Sequence, residues 1–256
     1  MQTFFSDGVR IAFVDEAPAS AEGKADPVLL IHGFASSIRY NWREPGWIAF
    51  LVKSGFRVVA MDVRGHGESD KLYDPKHYGA ALMAEDARRL LDHLGFARAD
   101  VMGYSMGARI SAFLALAHPQ RVRSAVFAGL AGNMVRPMAG TGPIARALEA
   151  ESIDDVTNPT ARTFRAFADS TGSDRRALAA CIRGGREPMT REMVGRIACP
   201  VLVVAGGDDV IAGPPDDLAS LIPGAEALSI PRRDHMRTVG DRAYMEGVLD
   251  FLRRRR

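Results

Sequence analysis

The sequence predicts one α/β domain built on a doubly wound, mostly parallel sheet, with a small helical insertion in its second half. Apolar runs of strand length alternate with segments of helical spacing along almost the whole chain, which is the pattern of βαβ units. Several strand-like runs are continuously apolar, as in residues 28–31, and this suits strands that helices cover on both faces. A chain of 256 residues with 47% hydrophobic content can bury a full core of this kind.

The first half of the chain predicts a hairpin followed by alternating strands and helices. The turn signal Asp7-Gly8 lies between two apolar runs, which indicates an N-terminal β-hairpin. A later helical segment contains Pro45-Gly46, which leaves its start open, whereas Gly95 gives the next helix a clear stop. In order, we expect hairpin strands at 4–5 and 9–14, a strand at 28–31, a helix within 42–54, a strand at 56–61 and an amphipathic helix at 78–94.

The second half continues this alternation but is interrupted between residues 131 and 196. That stretch has no convincing strand pattern and offers short helices separated by glycine and proline. We therefore predict a helical cap at 131–196, inserted after the sixth strand, and an α/β core at 1–130 and 197–256. The elements expected here are strands at 99–102, 124–130, 201–205 and 227–230, core helices at 108–117, 218–222 and 242–256, and cap helices near 143–151, 161–170 and 175–183.

The composition argues against several classes of function. The formal charge is only +2, from 33 basic and 31 acidic residues, so no nucleic-acid partner is indicated. Cys181 and Cys199 have no C-x-x-C spacing, which favours reduced thiols. No secretory signal is visible and no apolar run approaches the roughly 18 residues that span a bilayer, so we expect a cytoplasmic protein without a membrane partner. The preference for arginine over lysine is typical of a GC-rich, bacterial genome.

The most informative motif is G-x-S-x-G at residues 103–107, between a predicted strand and a predicted helix. In that context the motif is a nucleophile elbow, a sharp turn that pushes the hydroxyl of Ser105 out of the sheet. Gly103 and Gly107 leave room for the neighbouring backbone. Because the motif alone is common by chance, its interpretation depends on a base and an acid elsewhere in the chain.

His235 is the candidate base. It lies in the loop between the last predicted strand and the last predicted helix. Loops at the carboxyl ends of parallel strands share one edge of the sheet, so His235 can reach the elbow despite its distance in sequence. By contrast, His77, His93 and His118 lie on or beside predicted helices and are expected to be structural.

The candidate orienting acid follows the predicted strand at 201–205, where Asp208 and Asp209 are adjacent. Consecutive residues that leave a strand cannot both face one imidazole. The segment after the sixth strand is the other position for such an acid, and residues 130–133 contain no carboxylate. With an acid at 208 or 209, the chain order is Ser, Asp, His.

Across nearly the whole chain, the sequence resembles the α/β-hydrolase fold superfamily, in particular its serine hydrolases of the carboxylesterase type. The resemblance is carried by the elbow, by residues 32–34 (HGF) as oxyanion loop, by 62–67 (DVRGHG) as structural loop, by 206–209 (GGDD) and by 234–235 (DH). Residues 35–37 (ASS) stand where many relatives carry further glycines.

This resemblance implies roles for individual residues. The G-x-x-D spacing from Gly206 selects Asp209 as the acid, which completes a Ser105, Asp209 and His235 triad. The backbone N–H groups of Phe34 and Met106 are expected to form an oxyanion hole, because a developing alkoxide needs preorganised donors. His32 and His66 are expected to shape loops. No cofactor and no metal site is predicted.

A serine nucleophile favours acyl transfer among the reactions of this fold. Relatives that open epoxides or displace halides use aspartate, because their alkyl-enzyme is then an ester that water can cleave, whereas a serine would give an ether. We therefore expect Ser105 to attack a small-molecule ester or lactone, with His235 moving the proton. The resemblance leaves open a cofactor-free perhydrolase, a carbon–carbon bond hydrolase, or a ligand receptor with an intact triad and no turnover.

Methionine and phenylalanine residues of the predicted cap are candidate pocket linings, since both side chains give adaptable apolar walls. The same residues would equally suit a small core within the cap. The candidates are Met134, Met138, Phe164, Phe167 and Met189, with Met236 beside the candidate base.

Overall fold

A computed structural model of the chain describes residues 1–19, 26–136, 140–184 and 187–255. Its strands are β1 (Gln2–Ser6), β2 (Val9–Glu16), β3 (Val28–Ile31), β4 (Val58–Met61), β5 (Ala99–Tyr104), β6 (Val122–Ala128), β7 (Val201–Gly206) and β8 (Glu226–Ile230). They form one sheet in the order β1-β2-β4-β3-β5-β6-β7-β8. Only the β1–β2 and β2–β4 pairs are antiparallel, so the predicted mostly parallel sheet and N-terminal hairpin are confirmed.

Helices cover both faces of this sheet. They are α1 (Trp47–Lys53), α2 (Ala80–Leu94), α3 (Met106–Ala117), α4 (Gly142–Glu149), α5 (Pro159–Ser170), α6 (Arg175–Arg183), α7 (Arg191–Val194), α8 (Pro215–Ala219) and α9 (Arg242–Arg253). Side chains of α1 and α9 join the core on one face, and those of α2, α3 and α8 join the core on the other. Every residue of β3 and β4 is buried as a result, which explains their continuous apolar sequence. In the described ranges no helix is long and apolar enough to cross a bilayer.

The helix expected within 42–54 is in fact two pieces, so that prediction was wrong in its first half. A π-helical turn covers Ile38–Arg43, and α1 begins only at Trp47. Gly46 between them has a φ of 92°, in the left-handed region that favours glycine and ends a helix. Trp42 and Trp47 are fully buried on either side of this break and meet edge to face, so packing fixes the angle between the two pieces.

The described part of residues 131–196 contains helices and no strand. Short 3₁₀ turns at Gly132–Val135 and Ile153–Asp155 accompany α4 to α7. Leu148 of α4 and Leu178 of α6 belong to the same apolar cluster as α2 and α3, so this segment packs directly on the α/β core. The helix predicted at 218–222 begins and ends about one turn earlier, as α8.

Candidate active site

Ser105 lies on the tight turn between β5 and α3. Its φ of 54° and ψ of −112° are strained for a residue with a side chain, as expected of a nucleophile elbow. A Cβ atom at Gly103 would lie 2.1 Å from the carbonyl oxygen of Gly107, and a Cβ atom at Gly107 would lie 2.0 Å from that of Ile31. The turn therefore requires glycine at both positions.

His235 and Asp209 lie beside Ser105 within hydrogen-bond distance. Nε2 of His235 is 3.1 Å from Oγ of Ser105, and Nδ1 of His235 is 2.8 Å from Oδ2 of Asp209. The carboxylate of Asp209 is fully buried and the imidazole is 12% exposed. Because Nδ1 faces the carboxylate, a proton on Nδ1 leaves Nε2 free to accept the proton of Ser105. The structure thus brings together the three residues expected to form a triad.

The turn after β7 directs Asp209, and not Asp208, toward the histidine. Oδ1 of Asp209 accepts the backbone N–H groups of Ile211 and Ala212 at 3.0 and 2.9 Å, which leaves Oδ2 to His235. Asp208 is exposed to solvent. The direction of the Asp209 carboxylate is thus set by the backbone.

The loop that carries His235 is held by two neighbours. The hydroxyl of Tyr104 donates to the carbonyl oxygen of His235, and Oδ1 of Asp234 accepts the N–H of Met236 at 3.1 Å. Burial, together with the charge of Asp209, raises the pKa of Tyr104 well above its ordinary value, so its hydroxyl remains a donor. The position of the imidazole is therefore fixed through its backbone as well as through its ring.

The loop after β3 lies against Ser105. A Cβ atom at Gly33 would be 3.3 Å from the Cβ of Ser105, and the N–H of Gly33 donates to Oδ1 of Asn41 at 3.0 Å. Within the part of the chain that the structure describes, the N–H groups of Phe34 and Met106 have no protein acceptor. Phe34 follows the glycine that packs against Ser105, and Met106 follows Ser105 in the chain, so both N–H groups remain candidates for an oxyanion hole.

Ala35, the first of residues 35–37, takes a backbone conformation that normally favours glycine. Ala35 has a φ of 58°, in the left-handed region. Its carbonyl oxygen accepts hydrogen bonds from the hydroxyls of Thr171 and Ser173 at 3.2 and 3.4 Å. The helical segment after β6 thus supports the strained loop that carries Phe34.

Two buried histidines shape the loops behind the site. Nε2 of His32 accepts the N–H of Val63 at 2.9 Å, and Nδ1 of His66 donates to the carbonyl oxygen of Arg64 at 3.0 Å. Burial lowers the pKa of His32 to about 4 and that of His66 to about 3, so both rings are neutral at neutral pH. These contacts are those of loop-shaping residues.

Two cavities meet at Ser105, with Phe34 and Phe164 among the residues that line both. The first has a volume of about 470 Å³ and is lined by His235, so we refer to it as the His235 arm. The second has a volume of about 490 Å³ and is lined by Arg109, so we refer to it as the Arg109 arm. A substrate whose reactive carbonyl is at Ser105 can therefore extend in two directions.

Three of the predicted pocket residues line these arms. Phe164 lies between the two arms, and its ring meets that of Phe34 edge to face at 5.9 Å. Phe167 and Met236 line the His235 arm alone. The aromatic residues of α5 therefore form part of the wall of the cavity at Ser105.

Two further pocket predictions were wrong. Met134 is 0% exposed and Met189 is 3% exposed, and both lie in the main apolar core instead of lining an arm. The 3₁₀ turn Gly132–Val135 directs Met134 inward immediately after β6. Met138 lies outside the described residues.

Arg109 and Asn41 are site residues that the sequence analysis did not identify. Arg109 is the one charged residue of α3, and a single charge in an apolar helix directly after the nucleophile was an available signal. Asn41 gave no comparable signal. Its contact with Gly33 depends on the π-helical turn Ile38–Arg43, which the spacing of the sequence does not reveal. Across the described ranges, no group of three or more His, Cys, Asp or Glu side chains is placed to hold a metal ion.

A family model described as alpha/beta hydrolase fold matches residues 26–151. Epoxide hydrolase B of Mycobacterium tuberculosis is 38% identical over 137 residues, which cover 54% of this chain and 35% of that protein. The matched region thus spans about a third of the length of this curated relative.

Solved structures match over almost the full chain. A hydrolase from Pseudomonas aeruginosa superposes with a TM-score of 0.79 at 27% identity, covering 98% of this chain and 97% of that one. The enol-lactonase from Burkholderia xenovorans superposes with a TM-score of 0.80 at 22% identity, covering 98% of this chain and all (100%) of that one. The second match shows likeness of fold alone.

Proposed function

Since the chain belongs to the α/β-hydrolase fold superfamily, we propose that it is a serine hydrolase that cleaves small carboxylic esters or lactones through an acyl-enzyme. The observation that carries the proposal is the line of contacts from the buried carboxylate of Asp209 through His235 to Ser105, which ends in a cavity. A serine hydroxyl needs such a base, and the base needs such an acid, to act as a nucleophile at neutral pH.

The reaction takes place in two halves. Oγ of Ser105 attacks the carbonyl carbon while Nε2 of His235 takes its proton, and the tetrahedral intermediate then collapses as His235 protonates the leaving alcohol. Water, deprotonated by His235, next attacks the ester on Ser105 and releases the acid. Asp209 stabilises the imidazolium that forms in each half.

The N–H groups of Phe34 and Met106 stabilise the negative charge on the carbonyl oxygen in both halves. They need no rearrangement, because one follows the glycine packed against Ser105 and the other begins α3. A single donor of this kind typically contributes a factor of about 10² to 10³ in rate. This charge stabilisation supports ester cleavage, in which the oxyanion develops beside the nucleophile.

An ester or lactone fits Ser105 better than an epoxide does. Opening an epoxide with a serine oxygen would leave an ether, which the same triad has no means of hydrolysing. An acyl-enzyme is instead an ester, and His235 can activate water against it. The nucleophile therefore separates this chain chemically from the activity in the name of its mycobacterial relative.

We also assign residues 131–196 to a cap over an α/β core formed by 1–130 and 197–256. Phe164 and Phe167 of α5 line the cavity at Ser105, which supports a cap that bounds the substrate. Thr171 and Ser173 extend this contact to the loop that carries Phe34.

A panel of p-nitrophenyl esters, lactones and meta-cleavage products, assayed side by side with the purified protein, tests the function. We expect repeated turnover of p-nitrophenyl acetate. Binding without turnover would instead indicate a receptor, and cleavage of meta-cleavage products alone would indicate a carbon–carbon bond hydrolase. Peracid formation from acetate and hydrogen peroxide, without ester turnover, would indicate a perhydrolase.

Phe164→Ala is expected to change the acyl-chain preference across p-nitrophenyl esters. Removing this ring joins the two arms and takes away apolar contact of ~1.5–3 kcal/mol, so the ratio of kcat/KM between long and short acyl chains should shift by about tenfold or more. Phe113→Ala is the matched control, because Phe113 is also half-buried against the main core but lines neither arm. An unchanged profile with loss of cooperative melting would place Phe164 in the structural core of the cap.

A further inference from the structure

We propose that the Arg109 arm binds an anionic group in the acyl half of the substrate, so that monoesters of dicarboxylic acids, or lactones with a free carboxylate, are the preferred substrates. This inference rests on the proposed ester hydrolysis and adds the chemical class of its substrate. Three features support it: the two arms differ in charge, Arg109 is a buried cation with unused N–H donors, and His235 lines only one arm.

The two arms differ in charge. Arg109 and Arg136 line the Arg109 arm, and no acidic side chain of a described residue lines it. The charged atoms of Arg136 are largely in solvent, since its side chain is 63% exposed, so Arg109 is the enclosed cation. Among the described residues that line the His235 arm, His235 is the one titratable side chain apart from the phenols of Tyr40 and Tyr104. An anion is therefore favoured in one arm and not in the other.

Arg109 is a buried cation that has more N–H donors than hydrogen-bond acceptors among the described residues. It lies one helical turn after Ser105 and is 8% exposed. Its guanidinium donates to the carbonyl oxygens of Met134 and Glu187 at 3.0 and 3.4 Å, and it has more N–H groups than these two acceptors use. Among the described residues it forms no ion pair with a carboxylate.

The electrostatic state of Arg109 favours a ligand anion. Burial lowers the pKa of Arg109, and the charge of Glu187 only partly opposes this effect. A buried guanidinium with no carboxylate in hydrogen-bond contact is unfavourable, so a carboxylate that enters the arm gains a charge-assisted, planar contact with it. Arginine suits this role because its fork of donors matches the two oxygens of a carboxylate.

The position of the base decides which half of the substrate lies in which arm. His235 must return its proton to the leaving alcohol, and His235 lines only the arm named after it. The alcohol half therefore lies in the His235 arm. Met106, whose N–H is proposed to bind the oxyanion, lines the Arg109 arm. The acyl chain consequently extends along α3 toward Arg109.

A purely structural role for Arg109 would consist of tying together the segments of Met134 and Glu187. The chain offers a control for that role in Arg165, which is also buried and donates to the carbonyl oxygens of Ala147 and Ala150, both at 2.8 Å. Unlike Arg109, Arg165 also pairs with the carboxylate of Asp169 at 2.8 Å. Arg165 lines neither arm. A substitution of Arg165 therefore reports the effect of losing a buried structural arginine.

The test compares monoethyl adipate with the ethyl ester in which an isopropyl group replaces the free carboxylate. We expect the wild-type protein to favour the anionic ester in kcat/KM, and Arg109→Gln to lower the ratio between the two esters by about tenfold or more, mainly through KM. Arg109→Lys should lower the ratio less, because it keeps the charge but loses the fork. Arg165→Gln should leave the ratio as it is in the wild type.

A binding experiment keeps this test independent of turnover. Ser105→Ala should bind the adipate dianion more tightly than hexanoate by calorimetry, and the added change Arg109→Gln should remove the difference. An unchanged ester ratio in Arg109→Gln, or equal binding of the two acids by Ser105→Ala, overturns the anion site while ester hydrolysis stands. If the wild-type protein turns over neither of these esters nor any p-nitrophenyl ester or lactone of the panel, the proposed hydrolysis fails, and the binding comparison still decides the anion site.

Discussion

Ser105→Ala is expected to abolish both ester hydrolysis and labelling by a fluorophosphonate probe. Oγ of Ser105 is the atom that forms the acyl-enzyme, and among the described residues it is the one hydroxyl within hydrogen-bond distance of Nε2 of His235, at 3.1 Å. We expect kcat/KM for p-nitrophenyl acetate to fall by at least about 10⁴. Mass spectrometry of the labelled wild-type protein should place a single adduct on the peptide that contains Ser105.

Ser111→Ala is the matched control for this experiment. Ser111 is a buried serine of the same helix, and its hydroxyl donates to the carbonyl oxygen of Gly107 at 2.8 Å, away from the triad. This variant should label like the wild type. Undiminished labelling of Ser105→Ala would remove Ser105 as the nucleophile and would require a different serine.

Asp209→Asn is expected to lower kcat by about 10² to 10⁴ with little loss of stability. Oδ1 of Asp209 accepts two backbone N–H groups, so the amide oxygen of asparagine would take that position and its NH₂ group would face Nδ1 of His235. The imidazole would then carry its proton on Nε2, where it cannot accept the proton of Ser105. Steady-state kinetics and thermal melting measure the two effects separately.

Asp208→Asn provides the comparison, because it makes the same chemical change one residue earlier. Asp208 is exposed, and the buried contact to the imidazole belongs to its neighbour. The loss of the Asp208 charge should change kcat by less than about threefold, as for other surface substitutions. A severe loss in Asp208→Asn together with a mild one in Asp209→Asn would contradict the triad proposed here.

The strands and the elbow could be predicted from the sequence because the local sequence pattern favours the same structure as the packing of the whole fold. β3 is apolar throughout and is covered on both faces, and α2 ends at Gly95, which takes a φ of 70°. The helix within 42–54 failed for the opposite reason. Its apolar spacing runs through Pro45-Gly46, and the packing of the two tryptophans favours a break that periodicity does not reveal.

For the site, the order of the elements was enough to nominate Ser105, His235 and an acid at 208 or 209, because parallel strands bring their carboxyl ends to one edge of the sheet. The choice of Asp209 over Asp208 rested on the family resemblance. The shape of the cavity could not be obtained in this way. Whether a cap residue such as Met134 or Phe164 faces the cavity depends on the rotation of short helices, which apolar composition does not specify.

The contact between α5 and the loop at Ala35 has a consequence for engineering. Phe164 and Phe167 lie on α5, and Thr171, the C-cap residue that follows this helix, donates to the carbonyl oxygen of Ala35. Ala35 comes one residue after the proposed oxyanion donor Phe34. The same helix therefore lines the cavity that selects the substrate and holds the loop of the proposed oxyanion donor. Variants selected for larger substrates by mutating α5 will tend to lose turnover number unless the Thr171 contact is retained, so a library that fixes Thr171 and Ser173 should yield a larger fraction of active clones.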